Sequence, residues 1–175
     1  PARKRFLREA RTAAQVRHEN VVQIYAVEEQ PLPYLVMEFI PGEPLQQRLD
    51  RSGPFDAAEV VSIGRQVADG LAAAHAAGLI HRDVKPANLM YDITSDRLKL
   101  TDFGIARLTD SSRTRTGIIL GTPSYMSPEQ LSASKVSGQT DLYSLGVTMY
   151  HLLTGAPPFQ ADSIPRLMDK IVHQK

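Results

Sequence analysis

Apolar residues at helical spacing open the chain. Phe6, Ala10, Ala13 and Ala14, with Val16 near the end, share one weakly apolar face and predict a helix over residues 3–17. His18-Glu19-Asn20 breaks that period. Residues 21–27 and 32–39 are rich in Val, Ile, Tyr and Phe and predict two strands; Pro31 and Pro33 punctuate the turn between them, and Pro41-Gly42 ends the hairpin region. A short helix fits residues 45–49, before Ser52-Gly53-Pro54. The clearest amphipathic pattern covers residues 56–76, where Val60, Ile63, Val67, Leu71 and Ala74 recur at steps of three and four and Gly78 supplies a stop. Short strands are predicted at 89–91 and 98–101, around a polar turn at 92–97. Residues 104–128, rich in Ser, Thr, Arg and Gly, have no period and predict a long functional or mobile loop. A strongly apolar helix at 139–153 ends at Thr154-Gly155, and a final helix starts near residue 163. Strands come early and helices late, an α+β order without internal repeat.

Composition narrows the class. A chain of 175 residues suggests one domain or part of one, and 42% hydrophobic with 22% charged residues reads as ordinary and soluble. A formal charge of +1 gives no concentrated basic footprint, so no nucleic-acid partner is expected. The cluster Arg3, Lys4, Arg5, Arg8 and Arg11 reads as the solvated side of the first helix. With no cysteine, disulfides, thiolate chemistry and zinc–thiolate sites are excluded. No apolar run approaches the roughly 18 residues of a membrane span, so no membrane contact by this segment is expected. The chain opens on proline with no signal peptide, as if cut from something larger.

The chemistry concentrates in His81-Arg82-Asp83-Val84-Lys85-Pro86-Ala87-Asn88, followed fourteen residues beyond Asn88 by Asp102-Phe103-Gly104. Together these runs supply a base, a lysine for a phosphate and two hard oxygen ligands, which is most of what phosphoryl transfer asks of side chains. His18, His75, His151 and His173 show no ligand spacing with carboxylates that would suit a metalloprotease or another metal site.

Taken in order, these runs and the later Gly121-Thr122-Pro123-Ser124-Tyr125-Met126-Ser127-Pro128-Glu129-Gln130 resemble a protein kinase, specifically the bacterial receptor-type serine/threonine kinases. The resemblance covers nearly the whole chain. It implies a bilobal kinase-like fold truncated at both ends, with residues 1–40 a remnant of the small lobe and hinge and residues 41–175 an incomplete large lobe. It implies Asp83 as catalytic base, Lys85 beside the transferring phosphoryl group, and Thr122 bridging the two. Asn88 and Asp102 would hold Mg²⁺, or Mn²⁺, on ATP. Glu9 resembles the helix glutamate that pairs with a lysine reaching the ATP phosphates. Met37 would be the gatekeeper, backbone groups of Glu38 and Ile40 would bond adenine, and Met90 would floor its pocket. His81 is expected to pack near the metal-binding loop, and Asp141 to hold the backbone around His81-Arg82 or to cap its helix. Arg82 would receive a phosphothreonine, with Thr114 and Thr116 as the expected phosphorylation sites, and Glu129 would pair with an arginine that this sequence lacks.

The resemblance also implies protein substrates with Ser/Thr acceptors, a homodimer for autophosphorylation, and a cytoplasmic segment whose parent is anchored in the cell membrane by a span outside it. No Gly-rich loop and no ATP-contacting lysine precede the first helix, so the segment alone is expected to be inactive. A pseudokinase or regulatory binding module is the alternative, and a small-molecule phosphotransferase a third reading; intact Asp83, Lys85, Asn88 and Asp102 weigh against the former.

Overall fold

A computed structural model describes residues 2–103 and 123–174. Helix α1 (Ala2–Ala13) leads into the antiparallel hairpin of β1 (Ile24–Glu28) and β2 (Tyr34–Met37). A three-stranded antiparallel sheet follows, in the order β3 (Gly42–Pro44), β4 (Leu89–Asp92) and β5 (Arg97–Leu100). Between β3 and β4 run α2 (Leu45–Ser52) and α3 (Ala57–Ala76), and after the sheet come α4 (Pro128–Leu131), α5 (Gly138–Thr154) and α6 (Ile164–His173).

The core forms where α3 lies between α5 and β5. The apolar stripe read from the sequence faces inward: Val60, Val67 and Ala74 are fully buried and Leu71 nearly so, against Leu89, Leu98, Leu100 and Leu152. Each such leucine contributes about 1.5–3 kcal/mol by leaving water. Helix α3 starts where Asp56 accepts the Glu59 N–H at 2.8 Å. Helix α5 starts at Ser137, whose side chain forms a capping box with Thr140, and stops at the left-handed Gly155.

Several predicted boundaries move, each for a local reason. The first helix ends at Ala13 rather than residue 17, since Val16 turns into the core at 4% exposure. The first strand begins at Ile24 rather than residue 21, because Val21 and Val22 pair with Leu100 of β5 instead; the Val22 N–H donates to Leu100 O at 2.9 Å. The second strand is shorter than residues 32–39, with Leu32 and Phe39 standing in solvent at its flanks. Residues 42–44 form an unpredicted strand. Three residues containing Gly42 and Pro44 carry no alternation, and their conformation is set by pairing with β4. Gly42 is required there, because a Cβ would sit 1.8 Å from the Tyr91 carbonyl oxygen. Asn20, read as a break in the pattern, is buried at 2% exposure and donates to Gln66 Oε1 at 3.0 Å and Leu98 O at 2.8 Å. Of the basic cluster, Arg3 and Arg11 reach Glu29, and Arg3 also donates to the Glu29 carbonyl at 2.8 Å.

The predicted long loop over 104–128 is described only from residue 123 onward, where a 3₁₀ turn, Pro123–Tyr125, precedes α4. Among the described residues no helix is long and apolar enough to cross a membrane.

Candidate active site

Residues 79–88 leave α3 through Gly78 as an irregular segment that closes in the 3₁₀ turn Pro86–Asn88, directly before β4. Its geometry is held by three side chains, from α4 and α5. Asp141, fully buried in the first turn of α5, accepts the His81 N–H at 2.8 Å and the Arg82 N–H at 2.7 Å. The same carboxylate lies 2.7 Å from His75 Nε2 on α3. Arg82 thereby adopts φ 66°, a left-handed conformation that a non-glycine residue keeps only when its surroundings impose it. Gln130 of α4 donates to the Arg82 carbonyl at 2.9 Å, and Thr148 of α5 to the Val84 carbonyl at 3.4 Å.

Within this frame Lys85 Nζ sits 2.9 Å from Asp83 Oδ2. Asn88 Nδ2 donates to Asp83 Oδ2 at 2.9 Å and to the Asp83 carbonyl at 2.8 Å. The Asp83 carboxylate is thus oriented by a cation and an amide while 17% of its side chain stays exposed. The Asn88 main-chain carbonyl accepts from the Thr101 N–H at 3.0 Å and the Thr101 hydroxyl at 3.2 Å. These bonds fix the end of β5, and hence the exposed Asp102 with φ 52°, beside the 79–88 segment. Because the Asn88 amide uses its nitrogen toward Asp83, its oxygen is the donor it offers a cation. With the Asp102 carboxylate this makes a hard oxygen pair, the donor chemistry a phosphate-bound divalent ion takes.

His81 joins the two runs. It is fully buried, its ring centroid 4.7 Å from that of Phe103. Nε2 lies 2.9 Å from the Thr101 carbonyl, so it carries the proton, and Nδ1 accepts the Asp83 N–H at 3.3 Å. Burial drives its pKa below the usual imidazole range, against the opposing pull of Asp141. A protonated ring would turn an N–H against the Asp83 N–H. Since the folded pKa lies below the ordinary value of 6.5, protonation favours the unfolded chain. This contribution to stability is whole above about pH 6.5 and is lost as pH falls below it. The melting temperature is therefore expected to fall between about pH 7.5 and pH 5.5, with a smaller fall in His81→Gln than in wild type, read by thermal unfolding at both values. Equal falls in the two proteins would remove His81 as the cause.

The sequence profile of the protein kinase domain matches residues 2–175. The chain belongs to the protein kinase domain family. Curated relatives agree: it is 42% identical to the serine/threonine-protein kinase pkn3 of Myxococcus xanthus over 91% of this chain and 31% of that protein. It is 44% identical to Pkn1 of the same organism, covering 98% and 25%, and 45% identical to PknL of Mycobacterium tuberculosis, covering 91% and 40%. The chain thus spans between a quarter and two-fifths of the length of these relatives. In structure it is similar to a crystal structure of Rad53 residues 1–466 in complex with AMP-PNP, with a TM-score of 0.81 at 26% identity, over 97% of this chain and 43% of that one.

The kinase domain brings Asp83, Lys85, Asn88 and Asp102 into one neighbourhood. Glu9, on α1, lies with its carboxylate 3.5 Å from the Arg82 guanidinium, so this helix glutamate faces the 79–88 segment. Met37 ends β2, Met90 lies in β4 opposite Lys99, and Ile40 is buried between the hairpin and β3. Thr122, Thr114 and Thr116 lie outside the described residues.

Asp141 does not cap α5; Ser137 does, which frees both Asp141 carboxylate oxygens for the His81 and Arg82 N–H groups. Glu129, expected to want an arginine, accepts from the Thr140 hydroxyl at 2.6 Å. Burial raises its pKa, but the bonds from Thr140 and the backbone outweigh it and leave the carboxyl below its usual range. Further along α5, the Tyr125 phenol lies 2.6 Å from His151 Nδ1. Burial pushes Tyr125 up to about 12 and His151 down, so the phenol donates to a neutral ring.

Two contributors escaped sequence reading. Gln130 tethers α4 to Arg82 through a side chain that also closes a capping box with Ser127; a Ser-x-x-Gln spacing was the available signal. The side chain of Glu38 has partners at Lys99 and Gln23, and nothing local in the sequence announces them.

Proposed function

We propose that the protein transfers the γ-phosphoryl group of ATP to serine and threonine hydroxyls of protein substrates. The observation that carries this reading is the Asp83 carboxylate, oriented at 2.9 Å by both Lys85 and Asn88 and bonded through Asn88 and Thr101 to the strand that delivers Asp102. In this reading Asp83 accepts the hydroxyl proton as the new oxygen–phosphorus bond forms and the bond to the β-phosphate oxygen breaks, releasing ADP. Lys85 opposes the charge that builds on the transferring group. Asn88 and Asp102 would hold Mg²⁺, or Mn²⁺, whose contribution when bound is to neutralise phosphate charge.

Adenine would meet the Glu38 carbonyl and the Ile40 N–H, since the Glu38 N–H is already engaged with Gln23 O at 2.8 Å. Met37 would stand behind the ring and Met90 beneath it, with residues 1–40 acting as part of the small lobe and 41–175 as the large lobe. Glu9 would turn to the phosphate-contacting lysine, and Thr122 would bridge Asp83 and Lys85. Regulation would run through autophosphorylation of Thr114 and Thr116 within a homodimer. The domain would work on the cytoplasmic side, where ATP is available, with any membrane anchor lying elsewhere in the full-length protein.

Phosphoamino-acid analysis after incubation of the full-length protein with γ-labelled ATP, Mg²⁺ and a generic protein substrate tests this. Phosphoserine and phosphothreonine are expected. Label confined to phosphotyrosine, to free phosphate or to a small molecule would contradict the reading.

A further inference from the structure

Lys99 and Glu38 stand 61 positions apart, yet the Lys99 ammonium lies 2.8 Å from one Glu38 carboxylate oxygen and 3.0 Å from the other. Their side chains are 12% and 23% exposed, so solvent screens this pair far less than it screens the arginine pairs of α1. The two ends of the bond sit at telling places. Lys99 lies on β5 directly opposite Met90, three residues before Asp102. Leu98 and Leu100 on either side of it point into the core, so Lys99 stands on the other face of the sheet, together with Met90. Glu38 lies one residue past β2, where the chain leaves the hairpin for β3. It is stitched twice to Gln23: its N–H donates to Gln23 O at 2.8 Å, and its carboxylate accepts the Gln23 N–H at 3.1 Å. One carboxylate therefore joins the hairpin, the segment that leaves it and β5, which ends two residues before Asp102.

We propose that the Lys99–Glu38 pair is a positioning clamp for the nucleotide. Resting on the kinase reading above, it holds the main chain at Glu38 to Ile40 at a fixed placement over Met90 and relative to Asp102. Adenine and the phosphates then meet a preformed site. Neither side chain touches the reacting atoms. Breaking the pair removes no core packing if the lysine stem is kept, but it lets the hinge segment move against β5. The cost falls on binding rather than on the chemical step, because a site that must be ordered at the moment of binding binds more weakly.

The test uses the full-length protein and measures KM and kcat for MgATP, with direct ADP binding by calorimetry, in wild type, Lys99→Met, Lys99→Arg, Glu38→Gln and the double variant Lys99→Met/Glu38→Gln. Methionine preserves the apolar stem. The expected result is a rise of about fivefold in KM and in the ADP Kd for each of Lys99→Met and Glu38→Gln, kcat within about twofold, and no further loss in the double variant. Lys99→Arg should recover most of the affinity. Unchanged KM with a lower melting temperature would reduce the pair to a structural staple and overturn the proposal, as would a raised kcat at unchanged KM. Wild-type protein that binds no nucleotide would instead overturn the kinase reading itself.

Discussion

Asp83→Asn is expected to lower kcat for phosphoryl transfer by about a thousandfold, with KM for MgATP changed by less than about threefold. Asparagine has the size and shape of aspartate, so the local fold keeps its form. It cannot accept the hydroxyl proton, and it gives up the charge that Lys85 meets at 2.9 Å. The groups proposed to hold adenine, at Glu38 and Ile40, lie far from Asp83 in the chain, which is why the loss should appear in turnover more than in binding. Steady-state kinetics over a range of ATP concentrations on the full-length protein separates the two. A comparable loss in nucleotide affinity, or activity within tenfold of wild type, would show that Asp83 is a scaffold residue and not the base.

Asp141→Ala should produce the largest loss of stability of any single change outside the apolar core. The carboxylate is fully buried and serves the His81 and Arg82 main-chain N–H groups and the His75 ring. Alanine leaves the His81 and Arg82 N–H groups without their carboxylate partner, at a cost of about 3–5 kcal/mol for a broken buried network. It also removes the bond that compensates the left-handed Arg82, a conformation that itself costs on the order of 1–3 kcal/mol. At roughly 2–4 °C per kcal/mol for a domain of this size, the melting temperature should fall by about 10 °C. Asp141→Asn, which keeps one acceptor oxygen, should fall between. Differential scanning calorimetry reads both. An alanine variant that melts within about 2 °C of wild type would mean that the catalytic segment holds its shape without α5.

What could be read from the sequence was what is local. Helix α3 was legible because its buried residues repeat at a fixed spacing, and the candidate catalytic segment because Asp83, Lys85 and Asn88 fall within one short run whose offsets resemble the family's. Strand β3 was not legible, since its conformation comes from β4 and not from Gly42, Glu43 or Pro44. Asn20 looked like a break because a polar residue normally ends an apolar pattern; its burial depends on Gln66 and Leu98, which lie far along the chain. Glu38 escaped for the same reason, its partner Lys99 being an unremarkable polar position in a strand. In the sequence, only the family resemblance ties Asp141 to the backbone around His81-Arg82. By sequence alone it looked like a helix cap, and Ser137 four positions earlier fills that place.

These residues are proposed to form a working phosphoryl-transfer site. Its most direct test is single-turnover transfer from γ-labelled ATP by the full-length protein, wild type beside Asp83→Asn, at saturating Mg²⁺. Label on protein serine or threonine in wild type, with a rate about a thousandfold lower in the variant, is the predicted result. No transfer by folded wild-type protein that binds ATP, or equal rates in the two proteins, would contradict it.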